Sequence, residues 1–299
     1  MKKLLIAGAN GFLASHLCGY FAERGWNVAG LARRNDGLHR QCRYVHWDGQ
    51  SLDDWVSELD QSDVLINMVG RSINCRHTEE NKRQILTSRV DSTSVLGEAM
   101  AKCGNPPQLW INGSAAGIYK EAYDAPHSES GEHGEGFIAD VVKTWEDTFF
   151  SANIPTSVRR VALRTTMVLA DVPGNPYRYL HTLAKFGLGG KVGSGKQMVS
   201  WVHIDDVPRV VEFIIENREI SGPVNMAAPD AVSNAEMMKR FRKHAGIPIG
   251  LPAPEFAVKI GANLIGTAPE LILESCWVKP EKLLGNGFEF KQPKMFPEN

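Results

Sequence analysis

Residues 2–14 of this 299-residue chain read Lys-Lys-Leu-Leu-Ile-Ala-Gly-Ala-Asn-Gly-Phe-Leu-Ala, an order that few folds accommodate. The apolar run 4–7 has no alternation, which predicts a strand buried on both faces. It stops at Gly8; Gly11 and Ala14 follow at intervals of three. Phe12, Leu13, His16, Leu17, Tyr20 and Phe21 then share one face at helical spacing, up to Gly25. A strand that turns at a glycine into a helix N-terminus gathers unpaired N–H donors and a partial positive charge at one point, which suits a pyrophosphate. On this reading Gly8 turns the chain off the strand. Gly11 lets a phosphate approach the backbone around Asn10, Phe12 and Leu13, and Ala14 keeps the helix near the sheet. The spacing Gly-x-x-Gly-x-x-Ala differs from the commoner Gly-x-Gly-x-x-Gly dinucleotide fingerprint. A strand–turn–helix with glycines only for packing is the alternative.

The next segments extend the unit. Residues 26–32 predict a second strand, so strand–helix–strand is complete within a βαβ length. That strand closes on Arg33-Arg34. The residue at this point of a βαβ unit meets the adenosine ribose: an acid accepts from the 2′-OH of NAD, whereas an arginine suits the 2′-phosphate of NADP. NADP is therefore expected over NAD, with a solvated basic turn as the alternative for one of the two arginines. Residues 42–48 predict a third strand ending at Asp48, and 51–59 a short helix with Ser51 as its N-cap. Residues 63–70 predict a fourth strand, whose end, Met68-Val69-Gly70, should line the cofactor crevice. A long helix at 79–102 carries Ser88-Arg89, and 108–114 predict a fifth strand ending at Ser114. A loop with His127 and His133, a helix through Trp145-Glu146 and a sixth strand over 158–169 carrying Arg164 follow. Strands alternating with helices predict an α/β protein, a Rossmann-type doubly wound parallel sheet.

After residue 170 the pattern changes. Residues 171–199 are rich in glycine and proline around an apolar helix candidate at 177–186, and connections this long are usually functional. Residues 223–227 predict a last strand, and short helices separated by prolines follow from Val232. Residues 1–170 and 200–230 are thus expected to form the dinucleotide-binding domain. Residues 171–199 and 231–299 are expected to form a smaller, mostly helical substrate region, with Gly187-Leu188-Gly189-Gly190 as the hinge of a lid. Gln197 and Trp201 should border its pocket.

Composition narrows the partners. A net charge of −1 gives no cationic footprint for nucleic acid or an anionic membrane. No apolar run approaches a membrane span. The early glycines and Asn10 interrupt what would otherwise resemble a signal peptide. Five cysteines, none in a Cys-x-x-Cys pair, fit neither a disulfide framework nor a zinc site, so no metal and a cytoplasmic location are expected. A small-molecule substrate is the expected partner; oligomeric state leaves no mark in the sequence.

Taken together, the glycine turn, Asn67-Met68-Val69-Gly70 and the strand with Arg164 resemble an extended short-chain dehydrogenase/reductase. Ser88-Arg89, Gly187-Leu188-Gly189-Gly190 with Gly193-Ser194-Gly195, Ser200-Trp201-Val202-His203-Ile204-Asp205-Asp206 and Ala227-Ala228-Pro229 are similar to its nucleotide-sugar-epimerase-like "epimerase family protein" subfamily. The likeness spans essentially the whole chain, including a short C-terminal domain. It implies an NAD- or NADP-dependent oxidoreductase or epimerase of the epimerase/dehydratase type. The larger superfamily uses Tyr-x-x-x-Lys on the helix that here holds Trp145, the lysine lowering the tyrosine pKa from one turn away. No tyrosine in this chain has a lysine four residues later; Ile138 and Val142 fall near those positions. The superfamily's serine aligns with Ala115, one residue from Ser114, and its loop tyrosine with Tyr119. Ser114 and Tyr119 are the candidate catalytic residues. Ser114 either meets substrate or the nicotinamide ribose, or caps a turn. Arg89 and Arg164 are the candidates for holding an anionic, nucleotide-sugar-like substrate, because a guanidinium fork matches carboxylate or phosphate. The missing pair leaves a second reading open: a non-catalytic NADP-binding sensor or interaction protein, linked by analogy to cell division.

Overall fold

The computed structural model describes residues 1–296. Seven parallel strands make the central sheet: β1 (Lys3–Ala7), β2 (Asn27–Ala32), β3 (Arg43–His46), β4 (Val64–Asn67), β5 (Leu109–Ala115), β6 (Arg159–Thr165) and, after three short strands outside it, β10 (Gly222–Met226). Their order is β10-β6-β5-β4-β1-β2-β3, so the chain reverses direction across the sheet between β1 and β4. Crossover helices α1 (Phe12–Glu23), α2 (Glu79–Lys102), α3 (Phe137–Ser151) and α5 (Asp206–Glu216) cover both faces. This is the Rossmann-type sheet the alternation predicts.

Coverage on both faces explains the unbroken apolar strands. In β1, Leu4 and Ile6 enter a core with Leu17 and Phe21 of α1 and Val210 and Ile214 of α5. Leu5 and Ala7 point the other way, into a core with Leu96 and Met100 of α2 and Phe149 of α3. Both sets are at most 1% exposed, and burying each large aliphatic side chain is worth about 1.5–3 kcal/mol.

Two local expectations change. Residues 158–169 do not form one strand. Thr166 separates β6 from β7 (Met167–Leu169), which leaves the main sheet and pairs in parallel with β9 (Trp201–His203). Thr166 instead bonds to the carbonyl of Met226 through its N–H and its hydroxyl. At 51–59 the structure has a 3₁₀ helix over Asp54–Gln61, and Ser51 does not cap it. Asp48 orders the turn, accepting from the N–H groups of Gln50 and Ser51 and from Ser51 Oγ. The Ser51 hydroxyl is spent on Asp48, and the helix starts three residues later with Asp53 at its N-cap.

A third core lies beyond the sheet. Leu169, Trp201, Met238 and Phe241 are buried in it. It is built by α4 (Pro176–Lys185), α6 (Asn234–Ala245) and β9, beside the pair β8 (Met198–Val199) and β11 (Val232–Ser233). The helices α7 (Glu255–Ile265), α8 (Glu270–Leu273) and α9 (Glu281–Gly285) follow. The proposed hinge is pinned: Leu251 N–H bonds to Gly187 O and Gly190 N–H to Leu251 O. A side chain at Gly190 would collide with the Leu251 carbonyl and one at Gly189 with Ala184, so these two glycines serve close approach. No described helix is long and apolar enough to cross a membrane.

Helix α3 reaches β5 through a glycine. A Cβ at Gly113 would lie 2.9 Å from the Trp145 ring, so Gly113→Ala must push α3 away from the sheet. Overpacking of this kind costs about 1–3 kcal/mol. Urea unfolding should show that loss, and an unchanged midpoint would mean that Trp145 repacks freely.

Candidate functional site

A cleft of about 430 Å³ opens at the carboxyl ends of β1, β2 and β4. Its floor is backbone. Gly8 has φ +76°, a conformation that penalises every other residue, and a Cβ there would sit 3.0 Å from Val69 N. Gly8 and Ala9 N–H both bond to the carbonyl of Leu31, which ties the turn to the end of β2. Gly11 has ordinary extended angles, and no side chain caps α1 at this point. Gly11 itself lines the cleft at the N-cap of α1, and a Cβ there would crowd the Gly8 carbonyl at 3.1 Å.

Of the residues singled out in the sequence, Gly8, Asn10, Gly11, Arg33, Asp48, Met68, Val69 and Gly70 line this cleft. Phe12 and Leu13 occupy the first turn of α1 but do not line it with their side chains: Phe12 is exposed and Leu13 packs on the core. The two arginines separate. Arg33 borders the cleft, is exposed and forms no ion pair with a described residue. Arg34 lies off the wall and pairs with Asp36 at 3.2 Å. The Asp48 carboxyl is held below its usual range by the hydroxyl of Ser51 and the two backbone N–H groups it binds. The far wall comes from α2, where Gln84, Thr87, Ser88 and Asp91 face the cleft with Arg71. These were missed, although a polar stripe at helical spacing on a half-buried helix was the available signal.

The second group of candidates lies deeper, at the ends of β5 and β6, and is closed. Arg164 is 2% exposed. Its Nε and Nη2 donate to the two oxygens of Glu146 at 2.8 and 2.7 Å, and its Nη1 donates to Tyr119 Oη at 2.7 Å and to the Glu129 carbonyl. Burial pulls the guanidinium pKa down, but the bond and charge of Glu146 outweigh it, leaving the pKa above its ordinary value. Tyr119 Oη donates to Asn225 Oδ1, and its ring stacks on His127. Burial raises the phenol pKa, against the opposing charge of Arg164. Ser114 Oγ donates to Glu146 Oε1 at 2.5 Å. The expectation that Arg164 holds an anionic substrate group is therefore corrected: its fork is filled by Glu146. Tyr119 likewise has its proton engaged by Asn225, and both are placed as internal cross-links.

Gln197 and Trp201 also turn inward. Gln197 Nε2 bonds to Val192 O and Trp201 Nε1 to Asp230 O, and both are at most 3% exposed. A wide depression of about 800 Å³ does lie against residues 191–196, lined also by Tyr123, Asp124 and the start of α6. None of Ser114, Tyr119, Arg164, Gln197 or Trp201 borders it. On α3 the positions of the missing Tyr-x-x-x-Lys pair are hydrocarbon: Ile138 abuts Gly117, and Val142 is buried beside Ile118 and Tyr119. Among the described residues no group of His, Cys, Asp or Glu could hold a metal ion.

Arg89 stands apart. It rises from α2 between the end of β4 and α3, with its guanidinium 5.1 Å from the Trp145 ring centre. Nη1 donates to the carbonyls of Ile85 and Arg71. Burial lowers its pKa to about 10.

The geometry can now be set beside known proteins. Residues 4–135 match the model of the NAD dependent epimerase/dehydratase family, and 253–296 match a domain of unknown function, DUF1731. An epimerase family protein of Staphylococcus haemolyticus is 32% identical over 97% of this chain and 95% of its own length. The chain belongs to the epimerase/dehydratase family. The human epimerase family protein SDR39U1, solved with NADPH, is 26% identical, with a TM-score of 0.83 over 98% of this chain and 96% of its own. The UDP-glucose 4-epimerase of Thermus thermophilus, solved with NAD, shares the fold at 16% identity and a TM-score of 0.71, covering 97% of this chain and 94% of its own. The cleft at Gly8 and Gly11 thus lies in a nucleotide-cofactor fold, and its lining fits such a group: Gly8, Gly11 and Gly70 expose backbone there beside Asn10 and Arg33.

The Arg164–Glu146 pair gives a stability test. Glu146→Leu leaves a buried guanidinium unpaired, which costs about 3–5 kcal/mol. Ser114→Ala removes one hydrogen bond and costs about 1–2 kcal/mol. Urea unfolding of both variants should reproduce that order, and equal losses would show that Arg164 finds another counter-charge.

Proposed function

We propose that this chain binds NADP(H) in the cleft at β1 and β2 and acts as an oxidoreductase or epimerase on a small anionic molecule. The observation that carries the cofactor choice is Arg33, an unpaired arginine on the cleft wall at the end of β2. A 2′-phosphate there would receive a charge-assisted fork. Asp48, tied down by its own turn, shapes the wall beside it. The first turn of α1, with Asn10 and Gly11, would hold the pyrophosphate, and Met68, Val69 and Gly70 would flank the dinucleotide where it crosses from β1 to β4. The bound cofactor would supply a hydride acceptor or donor.

The protein's own part in that chemistry differs from the superfamily's. With Ile138 and Val142 on α3, no tyrosine–lysine couple is present to move the substrate proton. Ser114 is the remaining hydroxyl at the end of β5. Its proton is given to Glu146 and it is buried, so it would meet a substrate only if the cluster around Arg164 opened. Lys191 and Lys196 on the wide depression favour an anionic substrate. The apolar face of α3 favours the second reading, a dinucleotide-binding protein without redox turnover. Addition of small carbonyl compounds to the NADPH-loaded protein, and of small alcohols to the NADP⁺-loaded protein, with absorbance of the cofactor followed, separates the two: oxidation of NADPH by a carbonyl or reduction of NADP⁺ by an alcohol supports the enzyme, and no change with any of them supports the second reading.

Calorimetric titration should give NADP(H) affinities at least about tenfold tighter than NAD(H), a difference of about 1.4 kcal/mol. Arg33→Ala should erase that preference and Arg34→Ala should leave it. Gly11→Val should abolish binding in a protein that still folds by circular dichroism. Equal affinities for the two dinucleotides in the wild type would overturn the NADP assignment.

A further inference from the structure

The two inward arginines differ in one respect. Arg164 faces a carboxylate that neutralises it. Arg89 forms no ion pair among the described residues: it donates to two backbone carbonyls and lies against the face of Trp145. Burial lowers its pKa to about 10, so it remains a cation at neutral pH. A half-buried charge that forms no ion pair is costly to the fold, and such groups concentrate where a ligand or reaction uses the field.

Its position says which part of the cleft feels that field. A Cβ at Gly70 would lie 3.1 Å from Arg89 Cζ, so the guanidinium packs against a glycine that lines the cleft. Ser88 and Asp91, its neighbours on α2, line the same cavity. On the other side Trp145 reaches to Gly113, next to Ser114. Arg89 therefore stands between the ends of β4 and β5. Arg33 and Asp48 mark the opposite side, at β2 and β3. A dinucleotide lying across the reversal between β1 and β4 places one nucleoside over each side, so Arg89 belongs to the nicotinamide half.

We propose that Arg89 is a fixed positive charge behind the nicotinamide subsite that makes this protein bind the reduced dinucleotide in preference to the oxidised one. This rests on the NADP(H) reading above. The oxidised nicotinamide ring carries a positive charge and the dihydronicotinamide ring is neutral, so a nearby cation that forms no ion pair penalises the oxidised form alone, against the opposite pull of the Asp91 carboxylate on the same cavity. The 2′-phosphate and pyrophosphate are common to both forms and cancel from the ratio of their dissociation constants. In low-dielectric surroundings a unit charge several ångströms away is enough to move such a ratio about tenfold or more.

The test is that ratio, Kd(NADP⁺)/Kd(NADPH), measured by calorimetry and by fluorescence of bound NADPH. The wild type should show a ratio of about ten or more. Arg89→Gln should bring it toward unity chiefly by tightening NADP⁺, and Arg89→Lys, which keeps the charge, should preserve most of it. A wild-type ratio near one overturns the proposal without touching the NADP assignment. So does a ratio that survives Arg89→Gln in a protein folded by circular dichroism. A fall in both affinities at constant ratio would make Arg89 merely structural and overturns it too. Wild-type protein that binds neither form removes the NADP(H) reading and this inference together.

Discussion

The two-pronged bond between Arg164 and Glu146 holds the deeper half of the molecule in register. It joins β6 to α3, and its partners extend the tie to β5 through Ser114, to the loop after β5 through Tyr119 and Glu129, and to β10 through Asn225. Asn225 then bonds to the Lys279 carbonyl, and Glu129 accepts from Lys282 N–H, so the C-terminal segment is fastened to the same centre. A charge pair this deep gains little over hydrocarbon of the same shape, but removing one member leaves the other stranded. Its consequence is geometric: the end of β5, where chemistry would occur in this fold, is fixed by a saturated network.

Saturation bears on mechanism. A proton donor has to offer a hydrogen to its substrate, and Tyr119 gives its hydrogen to Asn225 while Ser114 gives its own to Glu146. The helix face that would carry a tyrosine and a lysine is apolar and packed. The dinucleotide cleft, by contrast, is open and made largely of backbone and polar side chains. Cofactor binding and proton transfer are therefore separable here: the first needs a glycine turn and a cation beside it, and the second needs groups that this chain has replaced. The two halves of the cleft differ in the same way. At β2 an exposed arginine borders the cleft, while beyond β4 a half-buried one packs against a cleft-lining glycine.

What the sequence by itself determined was whatever local chemistry decides. The unbroken apolar runs at β1 and β4 required cover on both faces, and the βαβ spacing required parallel pairing. Gly8 was legible as a turn because its positive φ excludes side chains, and Gly11 as part of the cleft lining. Arg33-Arg34 marked the end of β2 for the same local reason. Only the tertiary structure decided what long-range partners control. Nothing at position 164 indicates that Glu146, eighteen residues earlier, occupies its fork, and nothing at Trp201 announces the Asp230 carbonyl. Arg33 and Arg34 are adjacent and alike in sequence; the direction of the chain after β2 sends one to the cleft and the other to Asp36. Arg164 and Arg89 were equivalent candidates for the same reason. Side-chain charge is written in the sequence, but whether a counter-charge arrives depends on which strands and helices meet.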